Sequence, residues 1–141
     1  MDSVGFLLGV AHRTLRRQWE ARLADLGLSG PQALVLRLIM TEPGCGVRQL
    51  ARRIGTDPMN AQRIVESLIQ DGLCESRRDP KDARRRPLYA TVRGRDLAHA
   101  VENRAELAEQ HLADDLGQQN YRLLKNALRT LITVDATIDD G

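Results

Sequence analysis

Six cations crowd into ten residues near the middle of the chain: Arg77, Arg78, Lys81, Arg84, Arg85 and Arg86. Like charges at that density repel one another unless a polyanion balances them. Guanidinium forks match phosphate oxygens and the O6/N7 edge of guanine. A second set lies just upstream. Pro58, Met59, Asn60, Gln62, Arg63 and Glu66 share the outer side of a helical stretch whose inner side is apolar. Asn and Gln pair with adenine and Arg with guanine, so this row has the chemistry to read base edges. Each set has a plain structural reading, as a solvated helix face and a solvated basic loop. Joined end to end, the two favour double-stranded DNA as a partner.

The charge distribution agrees. Residues 47–95 carry twelve basic and six acidic side chains, whereas residues 96–141 carry four and nine. Only the middle of the chain is suited to a polyanion. Of the 21 basic residues 19 are arginine, which a GC-rich genome would also favour. Apolar residues make up 42% of the 141, which places the chain among globular proteins. No run reaches the roughly 18–20 apolar residues of a membrane span, and the N-terminal segment lacks the order of a signal peptide. The expectation is a cytoplasmic protein. Cys45 and Cys74 match no zinc spacing and no CxxC, and read as free thiols. His99, His111 and the scattered acids give no metal set, and no phosphate loop or nucleophile elbow supports an enzyme, so no catalytic residue and no cofactor is expected.

Several elements must position the two cationic sets. Val4, Leu8, Ala11, Leu15, Trp19, Leu23 and Leu26 recur at helical spacing, and Gly27 ends that helix. Ser29 caps a second helix, with Pro31 in its first turn and Ala33, Leu34, Leu36, Leu38 and Ile39 making it apolar. A third runs from about Val47 to Ile54, stopped by Gly55. Asp57 and Pro58 start a fourth, whose buried face is Ile64, Val65, Leu68 and Ile69, and Gly72 closes it. Residues 73–77 and 88–92 read as two strands of a hairpin whose tip is the charged turn. Two long helices follow, separated by Gly117. Leu97, Val101, Ala105, Ala108 and Leu112 mark the first; Leu124, Leu128, Leu131 and Ile138 mark the second. Residues 50–69 fit a helix-turn-helix: Ala51 is small beneath the crossing helix, and Gly55 permits the turn.

At this point the chain resembles the MarR (multiple antibiotic resistance regulator) family of bacterial transcription factors. The residues that carry the resemblance run from Gly55 to Gly94. Asp57-Pro58 match the Ser-Pro that often starts the recognition helix, and Gln62-Arg63 its common Thr-Arg. Asp71-Gly72-Leu73 match Arg-Gly-Leu. Asp79-Pro80-Lys81-Asp82-Ala83-Arg84 match the wing signature Asp-Pro-x-Asp-Arg-Arg, and Thr91-Val92-Arg93-Gly94 match Thr-Pro-x-Gly. Two departures stand out. Ala83 replaces one wing arginine, and Met59 and Asn60 occupy positions where small hydroxyl residues are frequent. The resemblance implies that Asp82 and Arg84 pair within the wing, leaving Arg85 and Arg86 freer to meet DNA.

It also implies a mainly α fold with a small β-hairpin, a winged helix-turn-helix with long N- and C-terminal dimerisation helices. The whole of 1–141 is then one domain, with the DNA-binding lobe at 30–95 and dimerisation helices at 1–28 and 96–141. The apolar faces of the terminal helices exceed what one small lobe can cover, which supports a homodimer over an intramolecular bundle. Family members often bind small aromatic acids between the two lobes, and binding releases DNA. His12, Arg16 and Trp19 share a face of the first helix and have the chemistry to hold an aromatic carboxylate. The alternative leaves Trp19 in the core, Arg16 on the surface and His12 incidental. A peroxide-sensing branch of the family uses a cysteine in the first helix, where this chain has none. The expectation is therefore a ligand-responsive repressor that binds a pseudo-palindromic operator. The rival is a winged helix that contacts another protein and does not bind DNA.

Overall fold

The structure is a computed structural model, and it describes residues 2–139, with side chains described through Val134. Its elements are α1 (Val4–Leu23), α2 (Gly30–Thr41), α3 (Val47–Ile54), α4 (Pro58–Gln70), β1 (Cys74–Ser76), β2 (Leu88–Ala90), α5 (Val92–Leu116) and α6 (Gln118–Asp139). A short 3₁₀ turn, Ala24–Leu26, extends α1. The contacts divide the chain into two compact units, Met1–Arg104 and Ala105–Gly141.

Local chemistry sets the boundaries. The Ser29 hydroxyl accepts from the Gln32 backbone N–H, and the Gln32 side chain returns the bond to the Ser29 N–H. That capping box fixes the start of α2. Asp57 accepts from the Asn60 N–H at 2.9 Å, with Pro58 in the first helical position of α4. Between α3 and α4, Gly55 takes a left-handed conformation at φ +70°, which gives the tight turn of the helix-turn-helix.

In the first unit, Leu23 of α1 and Val35, Leu36 and Ile39 of α2 pack in one core with Leu50, Val65, Leu68, Leu88 and Val101. Fully burying each such side chain contributes roughly 1.5–3 kcal/mol. Ala51 and Ala61 are buried on α3 and α4, as their small size requires where the helices meet. Ile69, expected on the buried face of α4, is 39% exposed, and Leu34 of α2 is 44% exposed. In α4 the inward row repeats as Ala61, Val65 and Leu68, which leaves Ile69 rotated past the core edge.

The two strands pair antiparallel, with Cys74 opposite Ala90 and Ser76 opposite Leu88. Each is three residues long, shorter than the sequence suggests. Val92 belongs to α5 instead of β2, because Thr91 ends the strand by capping the helix. The Thr91 hydroxyl accepts from the Gly94 N–H at 3.0 Å and donates to the Gly72 carbonyl at 2.7 Å. The Thr91 N–H donates to the Leu73 carbonyl at 3.1 Å. Gly94 has no freedom to be anything larger: a Cβ there would lie 1.8 Å from the Leu73 carbonyl oxygen.

Along α1 only Leu23 is buried; Val4 is 71% exposed and Leu15 44%. Arg104 makes a two-pronged bond to Asp25 at 2.6 and 2.8 Å and also donates to the Arg22 carbonyl, holding α5 to the end of α1. In the second unit Ala113 is buried, and the Tyr121 hydroxyl donates to Glu109. Leu123, Leu124, Leu131 and Ile132 of α6 are exposed, and the side chain of Ile138 lies outside the described residues. Among the described residues no single helix is long and apolar enough to cross a membrane; α1 and α2 pass that test only as a pair bent by 74°.

Candidate nucleic-acid interface and adjoining cavity

The inward row of α4 dictates what its outward row presents. With Ala61, Val65 and Leu68 buried, Pro58, Met59, Gln62, Arg63 and Glu66 are exposed, and Met59 is 81% exposed at the helix start. The Gln62 amide donates to Glu66 at 3.1 Å. Asn60 departs from its expected place on the outer face. It is half-buried, its Nδ2 donates to the Thr56 hydroxyl at 2.9 Å, and its Oδ1 accepts from the Arg63 guanidinium at 3.0 Å.

The wing tip is shaped by its aspartates through the backbone. Asp79 accepts from the Lys81 N–H at 2.9 Å, and Asp82 accepts from the Arg84 N–H at 3.0 Å. These local turns leave the wing's side chains paired differently from the resemblance. Asp82 takes the backbone of Arg84, not its guanidinium. Arg85, expected to be freer to meet DNA, stays exposed and forms an ion pair with Asp79 at 3.7 Å. Arg86 donates to the carbonyls of Ala83 and Arg85 at 3.2 and 3.4 Å. The cause is proximity, since Asp82 is two residues from the N–H of Arg84 and closes an Asx turn before its long side chain is reached. Among the described residues no acid pairs with the side chains of Arg78, Lys81 or Arg84, all exposed. At the wing root Arg77 is held twice: its guanidinium bonds Glu75 at 2.8 and 3.1 Å and lies 4.0 Å over the Tyr89 ring. Tyr89 lies opposite Glu75 in the strand register, which sets its ring beside Arg77; the sequence alone does not mark it.

A cavity of about 490 Å³ opens where α1 and α2 meet the turn between α3 and α4. His12, Arg16 and Trp19 all line it, together with Leu34, Thr56 and Asn60. The three residues singled out on α1 are thus brought together. The opposite wall, from α2 and α4, was not foreseen. No sequence signal marks it: Leu34 and Ile64 read as core positions, and only the packing leaves them partly uncovered. The cavity's cations are balanced within reach: Arg16 pairs with Glu20 at 3.4 Å and Arg37 with Glu102 at 3.2 Å.

Both cysteines are buried. Burial first, then the neighbouring Cys45 and Glu75, push the Cys74 thiol up to about 11. Burial and Glu42 push Cys45 up as well. Thiols held protonated in this way are poor nucleophiles. Among the described residues no three His, Cys, Asp or Glu side chains are placed to hold a metal ion.

A helix-turn-helix with an exposed polar row, followed by a cation-rich hairpin, defines a winged helix-turn-helix protein. The MarR family model matches residues 28–85, from the start of the second helix to the wing tip. The HTH-type transcriptional repressor Rv2887 of Mycobacterium tuberculosis is 28% identical over 128 residues, covering 91% of this chain and 92% of that protein. Rv2011c of the same organism is 31% identical over 119 residues, covering 84% and 82%. The transcriptional repressor CouR bound to a 23-mer DNA duplex superposes with a TM-score of 0.87 at 27% identity, over 92% of each chain. Rv2887 in complex with salicylic acid gives 0.74 at 27% identity, over 93% and 97%. The chain belongs to the MarR family.

Proposed function

We propose that this protein is a ligand-responsive transcriptional repressor that binds a pseudo-palindromic operator as a homodimer. The observation that carries the reading is the exposed outer row of α4 leading directly into a hairpin crowded with arginine. Met59, Gln62 and Arg63 would face the base edges from the N-terminal part of α4, where recognition helices make their contacts. Arg77, Arg78, Lys81, Arg84, Arg85 and Arg86 would meet phosphate or a narrow minor groove. The relatives support this, since CouR was solved on DNA and Rv2887 with salicylic acid. The cavity containing His12, Arg16 and Trp19 is then the site of a small aromatic acid. Such a protein acts on DNA without catalysis, and its place is the cytoplasm.

The dimer would form through α1, α5 and α6, whose exposed apolar rows a second copy would cover. A two-fold axis then offers two recognition helices about 34–36 Å apart, one turn of DNA, and doubling the contacts raises affinity. Light scattering at micromolar concentration is expected to give twice the 15.8 kDa chain mass.

The test is a gel shift with the promoter region of the protein's own gene, repeated from low to physiological salt. Retarded DNA with a steep loss of affinity as salt rises is the expected result. Absence of any shift would favour the rival, a winged helix that contacts another protein.

A further inference from the structure

We infer that Asn60 is the joint through which the cavity sets the position of Arg63. The inference rests on the reading of the cavity as an effector site. Thr56 and Asn60 both line the cavity, and Asn60 alone also touches the exposed row of α4. Its amide faces two ways: Nδ2 gives a hydrogen to Thr56 Oγ1 at 2.9 Å, and Oδ1 receives one from Arg63 at 3.0 Å. A guanidinium only donates, so it accepts the oxygen end of the amide and rejects the nitrogen end. The Thr56 hydroxyl, acting as acceptor, completes the arrangement. Arg63 is exposed, and among the described residues the Asn60 oxygen is the partner that holds it.

An aromatic carboxylate in the cavity acts on this arrangement through chemistry already present. Its oxygens only accept, and the Asn60 Nδ2 group carries a second hydrogen to offer them. Drawing the amide toward the cavity removes Oδ1 from Arg63. The guanidinium then loses its tether and is no longer preset for a base edge. No movement of a whole lobe is needed, only a turn of one side chain half-buried between cavity and surface. Linkage requires the reverse as well: operator binding, by engaging Arg63, changes the affinity of the cavity for its acid by the same factor.

The experiment uses the full chain, salicylate as the probe and the promoter fragment from the gel shift. The chain's one tryptophan, Trp19, lies in the cavity wall, so its fluorescence reports occupancy independently of DNA. Fluorescence anisotropy of labelled DNA reports operator affinity with and without salicylate. In the wild type, salicylate is expected to change the Trp19 emission and weaken operator binding about tenfold, within the ordinary range of coupling. In Asn60→Ala the emission should still respond, while operator affinity shifts less than about twofold. Thr56→Val, which keeps the shape and loses the acceptor, should fall between the two. If Asn60→Ala and Thr56→Val bind salicylate and still release the operator by the wild-type factor, the joint is overturned and the effector reading survives. If Trp19 emission is unmoved by millimolar salicylate in every protein, the effector reading falls and takes the joint with it.

Discussion

In the proposed reading the recognition helix and the wing carry complementary parts of one interface, yet they are built on opposite principles. Helix α4 is anchored by Ala61, Val65 and Leu68, each at most 1% exposed, so its outer row is positioned by the core. The wing between Arg77 and Arg86 has no buried residue among its cations and takes its shape from Asx turns, one ion pair and the Arg77–Tyr89 stack. A helix seated on a core holds side chains to fixed places, which sequence reading requires. A turn held by local polar bonds delivers charge without fixing it closely, which suffices for phosphate. The fold thus spends its apolar residues where register matters.

That contrast can be broken at its strongest point by Leu68→Ala, which is expected to cost about 2–5 kcal/mol of stability. Chemical denaturation should show the loss, and specific DNA binding should fall with it because α4 loses its seat. A cost below the range expected for a core leucine would show that α4 is not set by the core. Next in size is Arg63→Ala. It should remove roughly 1–3 kcal/mol of discrimination between operator and scrambled DNA, with most non-specific affinity retained. Equal weakening on both DNAs would make Arg63 a phosphate contact and erase the distinction between the two regions. Arg85→Ala should weaken both DNAs together and lower the slope of log affinity against log salt by about 0.9. Because Arg63 and Arg85 sit on separate elements, the double variant should show nearly additive losses.

The smallest effect lies away from both regions, at Asp25. The hydrogen bond from Arg104 holds its carboxyl below the ordinary value of 3.8. A carboxylate with a lowered folded pKa adds stability above its unfolded pKa and loses it as pH falls through the folded one. Asp25→Asn should therefore lower the melting temperature slightly at neutral pH, more at low salt than at high. The difference from wild type should vanish in strong acid. DNA binding should be unchanged, which makes the variant a control for the other three.

Much of the fold was legible because it is written in local signals. Ser29 with Gln32, Asp57 with Pro58, and Gly27 and Gly55 mark helix ends by chemistry that acts over three or four residues. The helix-turn-helix and the hairpin followed from those ends. The pairing inside the wing was not legible, because whether Asp82 meets a backbone N–H or a guanidinium depends on the path of the turn. Asn60 misled for a similar reason. Its spacing puts it near the outer row, but the Thr56 hydroxyl one turn earlier draws its amide toward the cavity. Half of the cavity wall was invisible because Leu34 and Ile64 look like core in sequence, and only packing shows that the core leaves them partly uncovered.

The contact of Gly94 with the Leu73 carbonyl has a mechanical consequence. Leu73 leads into β1, Thr91 follows β2, and Gly94 lies in the first turn of α5; all three are pinned together by bonds of 3.1 Å or less and by a backbone approach that no side chain can enter. The wing root and the start of α5 are therefore tied together at their junction by these bonds and this close approach. In the proposed reading, a rotation of the early α5 turns would swing the wing root as a crank swings its handle.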